Sequence, residues 1–166
     1  NNRLSIFDVS DPTSITTKGY TGVGLSSPWC VFVSGKYAYV ASYGNNRLCI
    51  FDISNPDSVA TKAYTTFNLA GLVDVYISGK YAYVANWSNN RLCIFDVSNP
   101  DSIVTKGTTT ANLNAVNYIY VSGKYAYVTD WGNSRLCIFD ISNPDSIVAK
   151  AYTSVNLNQA TDIVVS

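Results

Sequence analysis

The side chains able to do chemistry in this chain are few and unevenly chosen. Its 166 residues include 11 aspartates, four cysteines, three tryptophans and 13 tyrosines, yet no histidine and no glutamate. Without histidine there is no common general base at neutral pH, no usual zinc or copper ligand and little scope for haem ligation. Triad hydrolysis and His-ligated redox metals are excluded for this chain. Carboxylates, thiols and aromatic rings remain, and each has to be judged by where it recurs.

Asp8, Asp52, Asp96 and Asp140 recur at a constant spacing of 44 residues, each closing an apolar run and each followed by a turn. A carboxylate there accepts the N–H groups of that turn. Equal copies serve equal structural jobs, whereas catalysis needs one asymmetric constellation, so the repetition argues against an enzyme. Cys49, Cys93 and Cys137 share another repeated position, and Cys30 stands at a different one. Adjacent sheets pack about 10 Å apart, beyond the Cα separation a disulfide allows. Lacking any CxxC spacing, the cysteines read as four free thiols, with no metal and no cofactor expected.

Positions that differ between copies are better candidates. Tyr43, Trp87 and Trp131 occupy one such position, with Asn86 and Asp130 beside the tryptophans. An exposed ring next to an amide or a carboxylate can stack on a sugar and hydrogen-bond its hydroxyls. The plainer alternative is that the rings fold over their loops as caps. Cys30, Asp74, Tyr118 and Asp162 form a second irregular position. Asp74 and Asp162 there are raw material for a calcium site or a catalytic carboxylate pair, but they stand two repeats apart, and neither role is expected. Asn86-Trp87-Ser88 also fits the glycosylation pattern, a match short enough to arise by chance.

The elements that must position these residues follow from the period. NNRLSIFDVSDP, NNRLCIFDISNP, NNRLCIFDVSNP and NSRLCIFDISNP begin at Asn1, Asn45, Asn89 and Asn133, without insertion or deletion between them. Val, Ile and Thr fill roughly a quarter of the chain, and Glu and Met are absent. Such a composition suits strands and omits strong helix formers. A repeat of this length built from strands and turns predicts an all-β chain, a β-propeller of four-stranded antiparallel blades.

In the second copy, residues 73–78 read as strand A, 81–85 as strand B, 91–97 as strand C and about 104–109 as strand D. Ser-Gly-Lys makes a tight A–B hairpin, and Ser-Asn-Pro-Asp-Ser a C–D turn nucleated by proline and Asx bonding. Strand C is apolar on both faces, as expected for a sheet buried between two others. Lys62, Lys106 and Lys150 fall on the outer strand D, where charge discourages edge pairing. The variable B–C loops (SYGNN, NWSNN, DWGNS) and D–A loops (TGVGLSSPW, FNLAGLV, ANLNAVN, VNLNQAT) leave from one rim.

The run VSGKYAYV, a loop rich in Asn or Gly, then RLCIFDISNPDS resembles the LVIVD repeat of bacterial and archaeal β-propellers, related to the YVTN surface-layer type. The resemblance covers essentially the whole chain in about four copies. Cys-Ile-Phe-Asp stands where that family typically has an aliphatic run closing on Val-Asp. No Gly-His pair precedes a Trp-Asp pair as in WD40 repeats, and the paired glycines of kelch repeats are absent.

Residues 1–166 read as a single propeller unit that opens on strand C and closes on strand A at Ser166. The intervening strand B, the equivalent of Gly35 to Gly44, is unaccounted for. The expectation is a segment of a larger ring, since LVIVD-like rings usually need more than four blades, with self-association of chains as the alternative.

Eleven basic residues balance the acidic ones, giving zero net charge, so nothing steers the chain to nucleic acid. Apolar runs are too short to span a bilayer, and the polar opening is not a signal peptide. By the resemblance, the expected function is a non-enzymatic binding or scaffold module at the cell surface or outside the cell. The expected partner is a polysaccharide or protein at the variable-loop rim. The alternative is a purely structural repeat of a surface layer or fibre.

Overall fold

The computed structural model describes residues 2–153, 157 and 159–164. Among them are three four-stranded antiparallel sheets and one two-stranded sheet. The small sheet pairs β1 (Leu4–Asp11) with β2 (Ser14–Thr21). The first full blade is β3 (Pro28–Ser34), β4 (Tyr37–Ser42), β5 (Arg47–Asp52) and β6 (Ala60–Thr65). The second is β7 (Leu72–Ser78), β8 (Tyr81–Asn86), β9 (Arg91–Asn99) and β10 (Ser102–Thr109). The third is β11 (Val116–Ser122), β12 (Tyr125–Asp130), β13 (Arg135–Asp140) and β14 (Val148–Tyr152). Within each blade the strands lie in chain order, as an all-β propeller requires. The only helical element among the described residues is a single 3₁₀ turn at Trp131–Asn133.

The predicted strands hold, with strand D of the second copy starting two residues earlier than expected. The terminal strand A is not formed over residues 159–164, and its expected end at Ser166 lies outside the described residues.

Each blade uses the same local devices. Gly35, Gly79 and Gly123 turn the A–B hairpins at φ +57°, a left-handed conformation that costs glycine little. Asp8, Asp52, Asp96 and Asp140 each accept the backbone N–H two residues on, from Ser10, Ser54, Ser98 and Ser142, at 2.9–3.0 Å. That is the job their repetition suggested.

Blades hold together through apolar faces. Leu48, Ile50, Phe51, Leu92, Ile94 and Phe95 on β5 and β9 are fully buried, each worth about 1.5–3 kcal/mol relative to exposure. β7 lies against β3 on one side and β11 on the other. Phe32, Tyr76 and Tyr120 form a stack across these three strands, with centroids 5.0 and 5.4 Å apart. The strand D lysines do more than guard an edge. Lys62 and Lys106 reach Asp101 and Asp145 on the C–D turn of the next blade at 2.9 and 3.5 Å, whereas Lys150 pairs with Asp140 of its own blade at 3.6 Å. In β1 the counterpart of buried Phe51 is Phe7, which is half exposed because, among the described residues, no strand lies on the inner side of β1 in the place that β4 takes beside β5.

Candidate ligand-binding rim

Two sets of hydrogen bonds build the variable rim. The last residue of strand B reaches back to the loop entering its own blade: Ser42 Oγ accepts from Ser26 N–H at 2.9 Å, Asn86 Oδ1 from Ala70 at 2.8 Å and Asp130 Oδ1 from Asn114 at 2.8 Å. The second Asn of the Asn-Asn-Arg motif reaches forward. Asn2, Asn46 and Asn90 accept from the N–H of Ser27, Gly71 and Ala115 at 2.9, 2.8 and 2.7 Å. Those donor residues all sit at positive φ, as do Asn46 and Asn90 themselves. Asparagine tolerates that region and supplies the acceptor, so the motif ties each loop that carries it to the entry of the next blade.

Asn86 and Asp130 therefore correct an expectation. Both are completely buried beneath the loops instead of facing a ligand. Asn86 also donates to Asn68 O at 2.6 Å, and Asp130 Oδ2 accepts from Arg135 Nε at 2.9 Å and Asn133 Nδ2 at 2.8 Å. Their polar groups are consumed by the frame, and a buried Asn86 is no acceptor for a glycan.

Asp74 is likewise occupied. Its Oδ1 accepts from the Cys30 thiol and from Val75 N–H, and its Oδ2 from Ile119 N–H, each at 2.9 Å, so one carboxylate links three successive blades. Burial raises its carboxyl above the ordinary range, opposed by those hydrogen bonds. Burial, with Asp74 alongside, pushes the Cys30 thiol up to about 12. Asp162 is exposed and accepts from Ile163 N–H at 2.7 Å. All four cysteines are free, and no cluster of three His, Cys, Asp or Glu able to hold a metal occurs among the described residues.

The three B–C aromatics do meet. Trp87 and Trp131, from adjacent blades, approach to 5.0 Å between centroids, and Tyr43 stacks on Trp29 at 5.2 Å and 27°. Backbone bonds from Trp87 N–H to Gly71 O and from Trp131 N–H to Ala115 O anchor the two tryptophans at 3.0 and 3.2 Å. Strand A supplies the opposite wall. Its pairing with strand B is interrupted between Pro28 and Cys30, between Leu72 and Asp74, and between Val116 and Ile119. Such bulges re-aim a side chain out of the pleat. The residues at the interruptions, Trp29, Val73 and Asn117, line one cleft of about 310 Å³ with Tyr43, Trp87 and Trp131.

The rings of the B–C loops thus line one shared cleft across three blades. Trp29 closes a loop already marked as variable, but the ring was not singled out. Its signal was register, because Trp29 stands to Tyr43 as Val73 does to Trp87 and Asn117 to Trp131.

The LVIVD repeat matches residues 1–21, 27–66, 72–111 and 115–153. The chain belongs to the LVIVD repeat family. No curated protein matches this LVIVD chain by sequence. Among solved structures, a functionally unknown protein from Desulfotomaculum acetoxidans superposes with a TM-score of 0.80 at 15% identity, over 96% of this chain and 53% of that one. A Bacteroides fragilis protein named as a candidate 6-phosphogluconolactonase gives 0.79 at 18%, over 95% and 50%. The periplasmic gluconolactonase of Pseudomonas aeruginosa gives 0.72 at 15%, over 81% and 41%. The chain spans about half the length of these structures, and at such identities they establish the fold alone.

They also overturn the expectation that the protein is not an enzyme. Structures of this fold carry lactonase names, so repetition of blades is no argument against catalysis. The physical reason is visible here: an equal frame carries Trp, Val and Asn at one repeated position and so builds a single asymmetric cleft.

Proposed function

We propose that this LVIVD propeller binds carbohydrate in the rim cleft, as part of a cell-surface or extracellular protein. The observation that carries the reading is the lining itself: four aromatic rings from three blades and one amide, held by a hydrogen-bonded frame. Flat rings match the apolar faces of pyranose rings, and few, placed polar groups give orientation. A volume of about 310 Å³ lies at the low end of small-molecule sites, roughly 300–1,000 Å³, which suits one or two sugar rings. The names of two neighbours, a gluconolactonase and a candidate 6-phosphogluconolactonase, concern sugar-derived ligands on the same fold. The surface location rests on the resemblance of the repeat to surface-layer propellers alone.

The test is tryptophan fluorescence and calorimetric titration of the 166-residue chain against neutral mono- and disaccharides. Trp87→Ala should weaken binding at least 10-fold, while its melting temperature drops only as far as a half-buried ring implies. If no sugar in the panel binds the unaltered protein, and Trp87→Ala merely destabilises it, the rings are caps and the reading fails.

A further inference from the structure

We infer that Asn117 selects the ligand of this cleft, and that the ligand is a neutral sugar, not a phosphorylated or acidic one; this rests on the carbohydrate reading above. Two observations carry it. No charged side chain is among the six residues lining the cleft, so an anionic sugar would lose its hydration without gaining a counter-charge. Asn117 is also the only lining residue with an amide. It is half-buried, and among the described residues that amide has no hydrogen-bond partner.

The amides that build the rim frame are committed elsewhere. Asn86 and Asn133 are committed to loop backbone, and Asn46 and Asn90 to the next blade. Asn117 stands where the preceding blades carry Trp29 and Val73, on the bulge that turns the side chain toward the tryptophans. An amide offers both two donors and an acceptor, enough to pair with adjacent hydroxyls of a ring stacked on Trp131 or Trp87. Stacking alone distinguishes epimers poorly, because every pyranose offers an apolar face. An amide at the edge of the ring senses whether a hydroxyl is equatorial or axial.

The experiment compares cellobiose, its C4 epimer lactose, and the charged acid cellobiouronate, which keeps both rings, titrated calorimetrically into the unaltered chain, Asn117→Ala, Asn117→Ser and Trp87→Ala. Far-UV circular dichroism and melting temperature establish that each variant is folded. The unaltered protein should bind one epimer about 3- to 10-fold more tightly than the other, the range one hydrogen bond supplies. It should bind cellobiouronate more weakly than cellobiose. Asn117→Ala and Asn117→Ser should bring the two epimers together, whereas Trp87→Ala should weaken both in parallel. Equal affinity for the epimers in the unaltered protein, an unchanged ratio in the folded Asn117 variants, or tighter binding of the charged sugar overturns this inference and leaves the carbohydrate reading standing. Failure of every sugar to bind the unaltered protein removes both.

Discussion

Replacement of Asn90 tests the frame on which the cleft depends. Asn90 sits at φ 54°, and its Oδ1 accepts from Ala115 N–H at 2.7 Å. Asn90→Ala leaves that part-buried N–H without its acceptor, at about 1–3 kcal/mol, and holds alanine in the left-handed region, at about 1 kcal/mol more. The total is about 2–4 kcal/mol, which for a domain of this size lowers the melting temperature by roughly 4–16 °C. Asn90→Gly keeps the backbone at ease and loses only the acceptor, so it should fall between Asn90→Ala and the unaltered protein. Asn90→Asp keeps both and should stay near the unaltered value. Thermal denaturation followed by circular dichroism ranks the three. An Asn90→Ala protein within about 0.5 kcal/mol of the unaltered one, the scatter of surface substitutions, would refute the claim that this motif clamps neighbouring blades.

Acid should unfold the protein through its turn aspartates. The hydroxyl and N–H of Ser98 hold the Asp96 carboxyl below its usual range, Lys80 helps, and Asp8, Asp52 and Asp140 are held the same way. A carboxyl depressed by folding contributes stability at neutral pH that is lost as pH falls through its native value, so Asp96→Asn should flatten the fall in melting temperature between about pH 5 and pH 2. Gly71→Ala should cost stability and disturb Tyr43 fluorescence, because Gly71 has φ +62° and an added Cβ would meet Ser88 and, at 3.1 Å, the Tyr43 ring. Phe7, Val9, Ile15 and Tyr20 present a half-exposed apolar face on a sheet with an unpaired edge. The 166-residue chain should therefore associate in light scattering, and Phe7→Lys should reduce that association.

The blade was legible because every copy does the same job. Period, hairpin turns, buried strand C and the turn aspartates all follow from local chemistry repeated in register. The rim was legible only in part. Tyr43, Trp87 and Trp131 stood out as differences between copies, but Asn86 and Asp130 beside them read as ligand contacts when they are fully buried braces. Neighbourhood in sequence says nothing about which of two adjacent residues turns inward at the end of a strand. Trp29 and Asn117 were harder still, since a bulge redirects them and bulges leave little trace in composition. Asp74 looked like half of a carboxylate pair, and only the approach of Cys30 and Ile119 from the flanking blades shows both its oxygens to be occupied.

The forward tie from each Asn-Asn-Arg motif to the next blade always joins residues separated by the same stretch of chain, in copies that are nearly identical. Near-identical coding segments are prone to unequal recombination, and a gain or loss of one whole unit would leave every such tie in register. What would change is which ring or amide faces which. Insertion of one unit would place a tryptophan beside Asn117 in place of Val73, and loss of the third would remove the amide, with no new turn, cap or brace to invent. The frame thus lets a lineage reshuffle the composition of its cleft in single genetic steps.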